Sequence, residues 1–270
     1  MNKTPQKAVI PCAGFGTRFL PVTKVVPKEL LPVGRHPAIH YVVEELIAAN
    51  IRELVLVCNR AKTSVADYFL HNELLTNFLK RHGKEEDLEA LERTEKSVTI
   101  QVVYQNTPRG LGDAVGCAKW VTGNDPFLVV LPDDLIFPQG TASLRLVELC
   151  RQRGGWGLLL ERVPREKISS YGIIRGRETE PGIFRVEGAV EKPSASQAPS
   201  DLAIIGRYLF PSEIYACLSR SEEPDKEVQL TDALDRLAKL QPGWGILCDG
   251  KRFDVGTPPG LLQASRFVEQ

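Results

Sequence analysis

The 270-residue chain balances 34 basic against 34 acidic residues, so no global field draws it to nucleic acid or to an anionic membrane, and any anion site must be local. Hydrophobic residues make up 43% and charged ones 25%, enough for a real core in an ordinary globule, and no apolar run reaches the ~18 residues of a membrane helix. Six scattered cysteines form no C-x-x-C pair, and His36 and His40 have no carboxylate or cysteine to complete a ligand set, so neither zinc nor a redox motif is suggested.

The N-terminus enters an apolar strand at 8–11 too soon to be a signal peptide, and a cytoplasmic protein is expected. The strand breaks into Ala13-Gly14-Phe15-Gly16-Thr17-Arg18, small residues that let backbone N–H groups approach an anion. Arg18, Lys24 and Lys28 follow, with Pro21, Pro27 and Pro32 stiffening the path between them. Glycines for approach, a forked guanidinium and point-charge lysines suit a polyphosphate; the competing reading is a tight surface loop with solvated cations. The stretch matches neither common phosphate fingerprint. Phe19 stands where a dinucleotide fold needs its third glycine, and Gly16-Thr17-Arg18 is not the Gly-Lys-Ser/Thr of a P-loop.

From Pro37 the periodicity predicts a helix, with Ile39, Val42, Val43, Leu46 and Ile47 in one stripe and Asn50 as a left-handed stop. The apolar run at 53–59 reads as a strand covered on both faces, which completes a βαβ unit with a parallel pair. Residues 59–62 then fall where ligand loops sit. A helix is predicted over 64–80, a solvated helix or mobile excursion without chemistry over 81–97, and a third strand over 98–104. Gln105 can offer an amide to a base edge, and Gly110 and Gly112 let backbone lie against a flat ring. Without further context the same stretch is a glycine-cleared start of a helix that runs through Trp120.

The strand at 127–131 ends in Pro132-Asp133-Asp134, either an acidic turn or a carboxylate pair where parallel sheets hold Mg²⁺. After a helix at 141–151 the texture changes to strand-like pieces at 156–161, 171–175, 183–191 and 203–210, as in a mostly antiparallel insert. Within it Glu191 can accept bonds from sugar hydroxyls and Lys192 can pair with a phosphate, although Glu191-Lys192-Pro193 by itself reads as a surface turn. A helix is predicted from Glu227, with Leu230, Leu234 and Leu237 inward, and a last one after Asp254-Val255-Gly256.

These stretches together resemble the sugar-1-phosphate nucleotidyltransferases. The loop is similar to that family's G-x-G-T-R followed by P-K-E/Q-L/M-L-P, and T-K-x-x-P-K-E-L-L-P, with its Lys24, is closest to the bacterial enzymes that use UTP and glucose 1-phosphate. Q-x-x-P-R-G-L-G from Gln105, L-P-D-D around Asp133, S-Y-G at Gly172, E-K-P from Glu191, Gly206-Arg207-Tyr208, E-x-Q-L-T-D-A from Glu227 and Asp254 before Gly-Thr-Pro follow in the family's order. The resemblance covers about residues 8 to 268.

It implies an α/β fold: a Rossmann-like three-layer α/β/α nucleotidyltransferase domain, with a mostly parallel central sheet and a small antiparallel sugar-binding insert. Its nucleotide-binding part would span about 8–153, the sugar-binding part 154–228, and a C-terminal part, 229–270, would return to the active site. The implied reaction is Mg²⁺-dependent in-line attack of glucose 1-phosphate on the UTP α-phosphate, giving UDP-glucose and pyrophosphate. Arg18, Lys28 and Lys192 would be catalytic. Ala13, Gly14, Gly16, Thr17, Lys24, Gln105 and Gly110 would hold the nucleotide. Gly172, Glu191, Gly206 and Arg207 would hold the sugar, with acidic residues of the 227–233 stretch beside it, and Asp133 and Asp254 would hold the metal. UTP and glucose 1-phosphate are the expected partners, without nucleic acid or membrane, and a homo-oligomer (dimer or tetramer) is expected. Asp113 departs from the family, whose close members usually carry histidine there. Two other readings are the same chemistry on dTTP or another sugar phosphate, and a catalytically silent nucleotide-sugar-binding regulatory protein. A dinucleotide-dependent oxidoreductase is excluded by the missing fingerprint.

Overall fold

The computed structural model describes residues 3–60, 62–218 and 227–270. Uninterrupted apolar runs set its centre: β1 (Lys7–Pro11), β2 (Glu53–Cys58), β3 (Thr99–Tyr104) and β4 (Phe127–Val130) lie parallel in the order β3-β2-β1-β4. Alternate side chains point to opposite faces, so Ile10, Leu54 and Leu128 enter one core cluster while Val9, Val55 and Val129 enter another. Burial on both faces is why β1, β2 and β4 show no polar alternation.

Further strands follow in the chain: β5 (Asp134–Phe137), β6 (Trp156–Arg162), β7 (Gly172–Glu180), β8 (Ile183–Glu191), β9 (Leu202–Phe210), β10 (Gly243–Leu247) and β11 (Lys251–Asp254). The expected insert is the second half of the same sheet. β9 pairs antiparallel with β4, and the order continues β9-β6-β10-β8-β7 to make nine strands. β6 and β10 are parallel; β8 is antiparallel to both its neighbours. β5 and β11 leave the sheet and form their own antiparallel ribbon, with Asp134 opposite Asp254.

Among the described residues the helices of eight or more residues are α1 (Ala38–Ala48), α2 (Glu73–Arg81), α3 (Glu85–Ser97), α4 (Gly110–Cys117), α5 (Thr141–Arg153), α6 (Leu230–Leu240) and α7 (Pro258–Val268). Ile39 and Leu46 of α1, Leu146 of α5 and Ala264 of α7 pack on one face of the sheet. Ala114 of α4 and Leu234 and Leu237 of α6 pack on the other, which gives the three layers. Asn50 ends α1 at φ +60, as its position suggests.

Three helix boundaries differ from expectation, the first being the helix expected through Trp120, which ends at Cys117 and is followed by a separate short one, Lys119–Thr122. The helix over 64–80 is a short turn, Ser64–Asp67, followed by α2. Asn72 divides them, because its Oδ1 accepts from Leu75 N at 3.0 Å and so caps a new helix instead of continuing the old one. The helix expected from Glu227 starts at Leu230. Residues 227–229 are held extended against the start of α4, where Gly112 N donates to Val228 O at 2.9 Å and Val228 N to Arg109 O at 2.7 Å. Among the described residues no helix is long and apolar enough to cross a membrane.

Candidate active site

The chemistry gathers at the carboxyl ends of β1 to β4, where a parallel sheet exposes its loops. The β1 loop needs glycine at position 16: φ is +66, and a Cβ there would lie 3.1 Å from Thr23 Cγ2 and 3.2 Å from Lys28 Cβ. Thr23 Oγ1 donates to Gly16 O at 2.7 Å, so the loop is tied to its own returning chain. Asn59 and Lys62, from the segment placed where ligand loops sit, brace this loop. Asn59 Nδ2 donates to Ala13 O at 3.0 Å. Lys62, 6% exposed, donates to Gly14 O and, at 3.4 Å, to Cys12 O, and pairs with buried Glu29 at 3.1 Å. Ala61, within that segment, lies outside the described residues. Burial pushes the Glu29 carboxyl up, against the pull of Lys62 and Lys28.

Of the three loop cations only Lys28 turns inward, its Nζ 2.5 Å from Asp133 Oδ2. Arg18 is exposed and lines a cleft it shares with Lys167, Tyr171, Arg252 and Asp254. Thr17 and Lys24 are exposed on the same loop. Asp133 follows β4 and Asp254 ends β11, and the β5–β11 ribbon brings them together, with Val255 N donating to Asp133 O at 2.8 Å. Gly256 lies between the carboxylates. A Cβ on it would sit 2.8 Å from Asp133 Oδ2 and 3.0 Å from Asp254 Oδ1, so one small space is flanked by two hard oxygen donors.

That cradle and donor set fit Mg²⁺, which takes one or two carboxylates and completes its shell with phosphate and water oxygens. Among the described residues no group of three or more His, Cys, Asp or Glu side chains could hold a metal ion, so the remaining ligands would have to come from substrate and solvent. Burial opposes ionisation of Asp133, but Lys28 outweighs it and holds the carboxyl below its usual value. Asp134 is different: burial, with Asp133 and Asp254 nearby, pushes it up to about 6 although Arg252 pulls the other way. Its Oδ1 accepts from Arg252 Nε at 2.6 Å, so Asp134 secures the ribbon from behind the pair.

Two cavities share Leu111 in their walls, and the second of them takes in the carboxylates. The first, about 260 Å³, is lined by Pro11, Ala13, Gly14, Gln105, Gly110 and Glu227. Gln105 Nε2 donates to Gly110 O at 3.2 Å and to Asp113 Oδ2 at 2.8 Å. Gly110 has φ +88, and a Cβ on it would be 3.1 Å from Val228 O. The second, about 220 Å³, is lined by Gly172, Glu191, Lys192, Thr231, Tyr208, Asp133 and Asp254. Thr231 Oγ1 donates to Glu191 Oε2 at 3.2 Å, and Lys192 Nζ lies 3.1 Å from Glu191 Oε1. Lys192 has φ +41, a left-handed conformation uncommon for a lysine and typical of residues held for function.

Most of the expected residues therefore gather at one end of the sheet's strands, with exceptions. Arg207, expected to hold the sugar, does not line the second cavity. It is 0% exposed on the opposite side of β9 from Tyr208, bonded to Glu45 at 2.9 and 2.6 Å. The strand's period of two decides this, since Tyr208 takes the pocket face. Gly206 also meets protein, because a Cβ there would lie 2.7 Å from Asp134. Of the acidic residues expected beside the sugar, Glu227 lines the first cavity and Asp232 is exposed; Gln229 and Thr231 line the second. Sequence reading gave no role to Tyr171, Arg252 or Lys167, although Tyr171 is the centre of S-Y-G and Arg252 stands beside Phe253-Asp254, and Lys62 was reached only as the last residue of the 59–62 segment.

A nucleotidyl transferase family model matches residues 7–270. Over 266 residues the chain is 41% identical to UTP–glucose-1-phosphate uridylyltransferase 2 of Streptococcus pyogenes serotype M3, covering 96% of this chain and 89% of that one. It is 37% identical over 261 residues to UTP–glucose-1-phosphate uridylyltransferase of Bacillus subtilis, with 96% and 89% covered. Among solved structures, a UTP-bound UGPase from Acinetobacter baumannii matches with a TM-score of 0.90 at 36% identity, over 98% of this chain and 93% of that one. A UDP-glucose pyrophosphorylase complexed with UDP-glucose matches at 0.88 and 35% identity, over 98% of each chain.

Proposed function

The chain belongs to the nucleotidyl transferase family, in its UTP–glucose-1-phosphate uridylyltransferase branch, and on that premise we propose which of its residues carry the reaction. It forms UDP-glucose and pyrophosphate from UTP and glucose 1-phosphate. The observation that supports the assignment of roles is the meeting of Asp133 and Asp254 about Gly256, beside Lys28 and in the wall of a cavity that shares Leu111 with the Gln105 cavity.

The attacking phosphate is already ionised at neutral pH, so the site needs no general base, only positioning and neutralisation of charge. The Gln105 cavity takes the uracil, with Gly110 clearing space for the ring. Backbone of Ala13, Gly14, Gly16 and Thr17 approaches the triphosphate, and Arg18 with Lys24 closes over it. Lys28 reaches the phosphates from its place on Asp133. On the other side Glu191 and Gly172 face the sugar, and Lys192 aligns the attacking phosphate. Asp133 and Asp254 would hold Mg²⁺, which when bound supplies Lewis-acid neutralisation of the phosphate oxygens. The regulatory-protein reading is disfavoured by the same inventory, since every loop cation and both aspartates are in place.

An oligomer is part of the reading. Leu74 and Phe78, four residues apart on α2, are 83% and 48% exposed, the kind of face a second copy covers. Sedimentation of the Leu74→Glu variant tests it, a monomer being the expected product. The decisive assay for the reaction is pyrophosphate release across a matrix of nucleoside triphosphates and sugar 1-phosphates. UTP with glucose 1-phosphate is expected to lead, and Lys192→Ala to lose at least ~100-fold, as for other positioned charges. Near-normal turnover in that variant would refute its role.

A further inference from the structure

We propose that Asp113 sets base selectivity by fixing which way round the Gln105 amide faces; this rests on the assignment of the Gln105 cavity to the base. Gln105 is 4% exposed at the end of β3, and its Nε2 has two partners, Gly110 O and Asp113 Oδ2. A carbonyl and a carboxylate can only accept, so each demands the NH₂ end of the amide. Either contact alone leaves an alternative orientation that costs one hydrogen bond. Both together make the reversed amide place its oxygen against two acceptors. Asp113 is itself held, since Arg109 Nη2 donates to its Oδ1 at 2.9 Å. One carboxylate oxygen therefore serves Arg109 and the other serves Gln105.

The consequence is a fixed acceptor. Oε1 accepts no bond from the described residues and is the amide atom left for the cavity lined by Ala13, Gly14, Leu111 and Ala114. Uracil carries a proton on N3 and meets that oxygen with a hydrogen bond. Cytosine presents a lone pair at N3 and meets it with repulsion. Thymine has the same N3–H as uracil, so this device does not separate those two. Asp113 touches no substrate in this account and acts as a positioning residue through Gln105.

The test is kcat/KM for UTP and for CTP, each with glucose 1-phosphate, in the wild type and in Asp113→Asn, Asp113→Ser and Asp113→Glu. Asparagine offers a donor or an acceptor in nearly the same volume, and serine removes the carboxylate, so either frees Gln105 to turn over. The UTP:CTP ratio is expected to fall at least tenfold in both, with the KM for glucose 1-phosphate within twofold of wild type. Asp113→Glu, which keeps an acceptor-only partner, is expected to restore most of the ratio. A ratio within twofold of wild type in whichever of Asp113→Asn and Asp113→Ser folds overturns the proposal, whatever happens to absolute activity. Gln105→Leu separates this failure from failure of the base-site assignment. If that variant keeps the wild-type ratio, the cavity does not read the base; if it collapses the ratio while the Asp113 variants do not, only the present inference falls.

Discussion

Replacing Arg207 with methionine isolates a role that the motif and the structure describe differently. The motif puts Arg207 beside the sugar; the structure buries it completely on Glu45, with Nε and Nη2 at 2.9 and 2.6 Å from the two carboxylate oxygens. Without the guanidinium, Glu45 keeps only the Ser143 donors, its backbone N at 3.2 Å and its Oγ at 2.5 Å. Removing one partner of a buried pair typically costs ~3–5 kcal/mol, because the remaining charge stays out of water. For a chain of this size each kcal/mol lowers Tm by about 2–4 °C, so Arg207→Met should melt roughly 6–20 °C early.

The double variant Glu45→Leu/Arg207→Met removes both charges and is expected to recover most of that loss, as buried pairs exchanged for apolar side chains often do. Thermal melts of the two single variants and the double variant complete the cycle. Steady-state kinetics well below the melting range supply the second readout, with the KM for glucose 1-phosphate unchanged. A variant that melts like wild type but shows a tenfold higher KM for glucose 1-phosphate would overturn the argument and return Arg207 to the sugar.

Gly256→Ala places a methyl 2.8 Å from Asp133 Oδ2 and 3.0 Å from Asp254 Oδ1, so the Mg²⁺ concentration for half-maximal activity should rise at least tenfold; an unchanged Mg²⁺ titration removes the cradle from the metal site. Lys62→Met should cost about 3 kcal/mol by orphaning Glu29 and raise the KM for UTP while leaving that for glucose 1-phosphate alone, measured by urea melts and kinetics. Burial opposes ionisation of Glu45, but Arg207 and Ser143 hold its pKa below the usual carboxylate value. Its folded value is thus lower than its unfolded one, and its stabilisation, complete above the ordinary carboxylate range, is lost as pH falls through the folded value. The Glu45→Leu/Arg207→Met variant should therefore show a shallower acid-unfolding curve. His40 is lowered to about 4 by burial and by stacked His36, so the unfolded chain takes up its proton first as pH falls below 6.5. Stability should decline between 6.5 and about 4, and His40→Gln should flatten that slope in melts recorded across the window.

Local features were legible because they are set over a few residues. The apolar runs of β1, β2 and β4, the stripe of α1 and its stop at Asn50 were all readable from periodicity. The order of motifs was readable too, which is why the family and its reaction could be named before any contact was known. Boundaries failed where a side chain competed with the backbone, as Asn72 does, or where a remote segment held the chain extended, as α4 holds residues 227–229.

The site itself was decided by packing between segments far apart in sequence. Asp133 meets Asp254 because β5 pairs with β11 outside the main sheet, and no spacing along the chain encodes that pairing. Lys62 braces the glycine loop because β2 lies next to β1, and Arg207 turns away from the pocket because Tyr208 takes that face of β9. Residue type and spacing determine which groups are available and what local structure carries them. Sheet order and strand phase determine which of those groups point at the same few cubic ångströms, since a one-residue change of phase sends a side chain to the other side of the sheet.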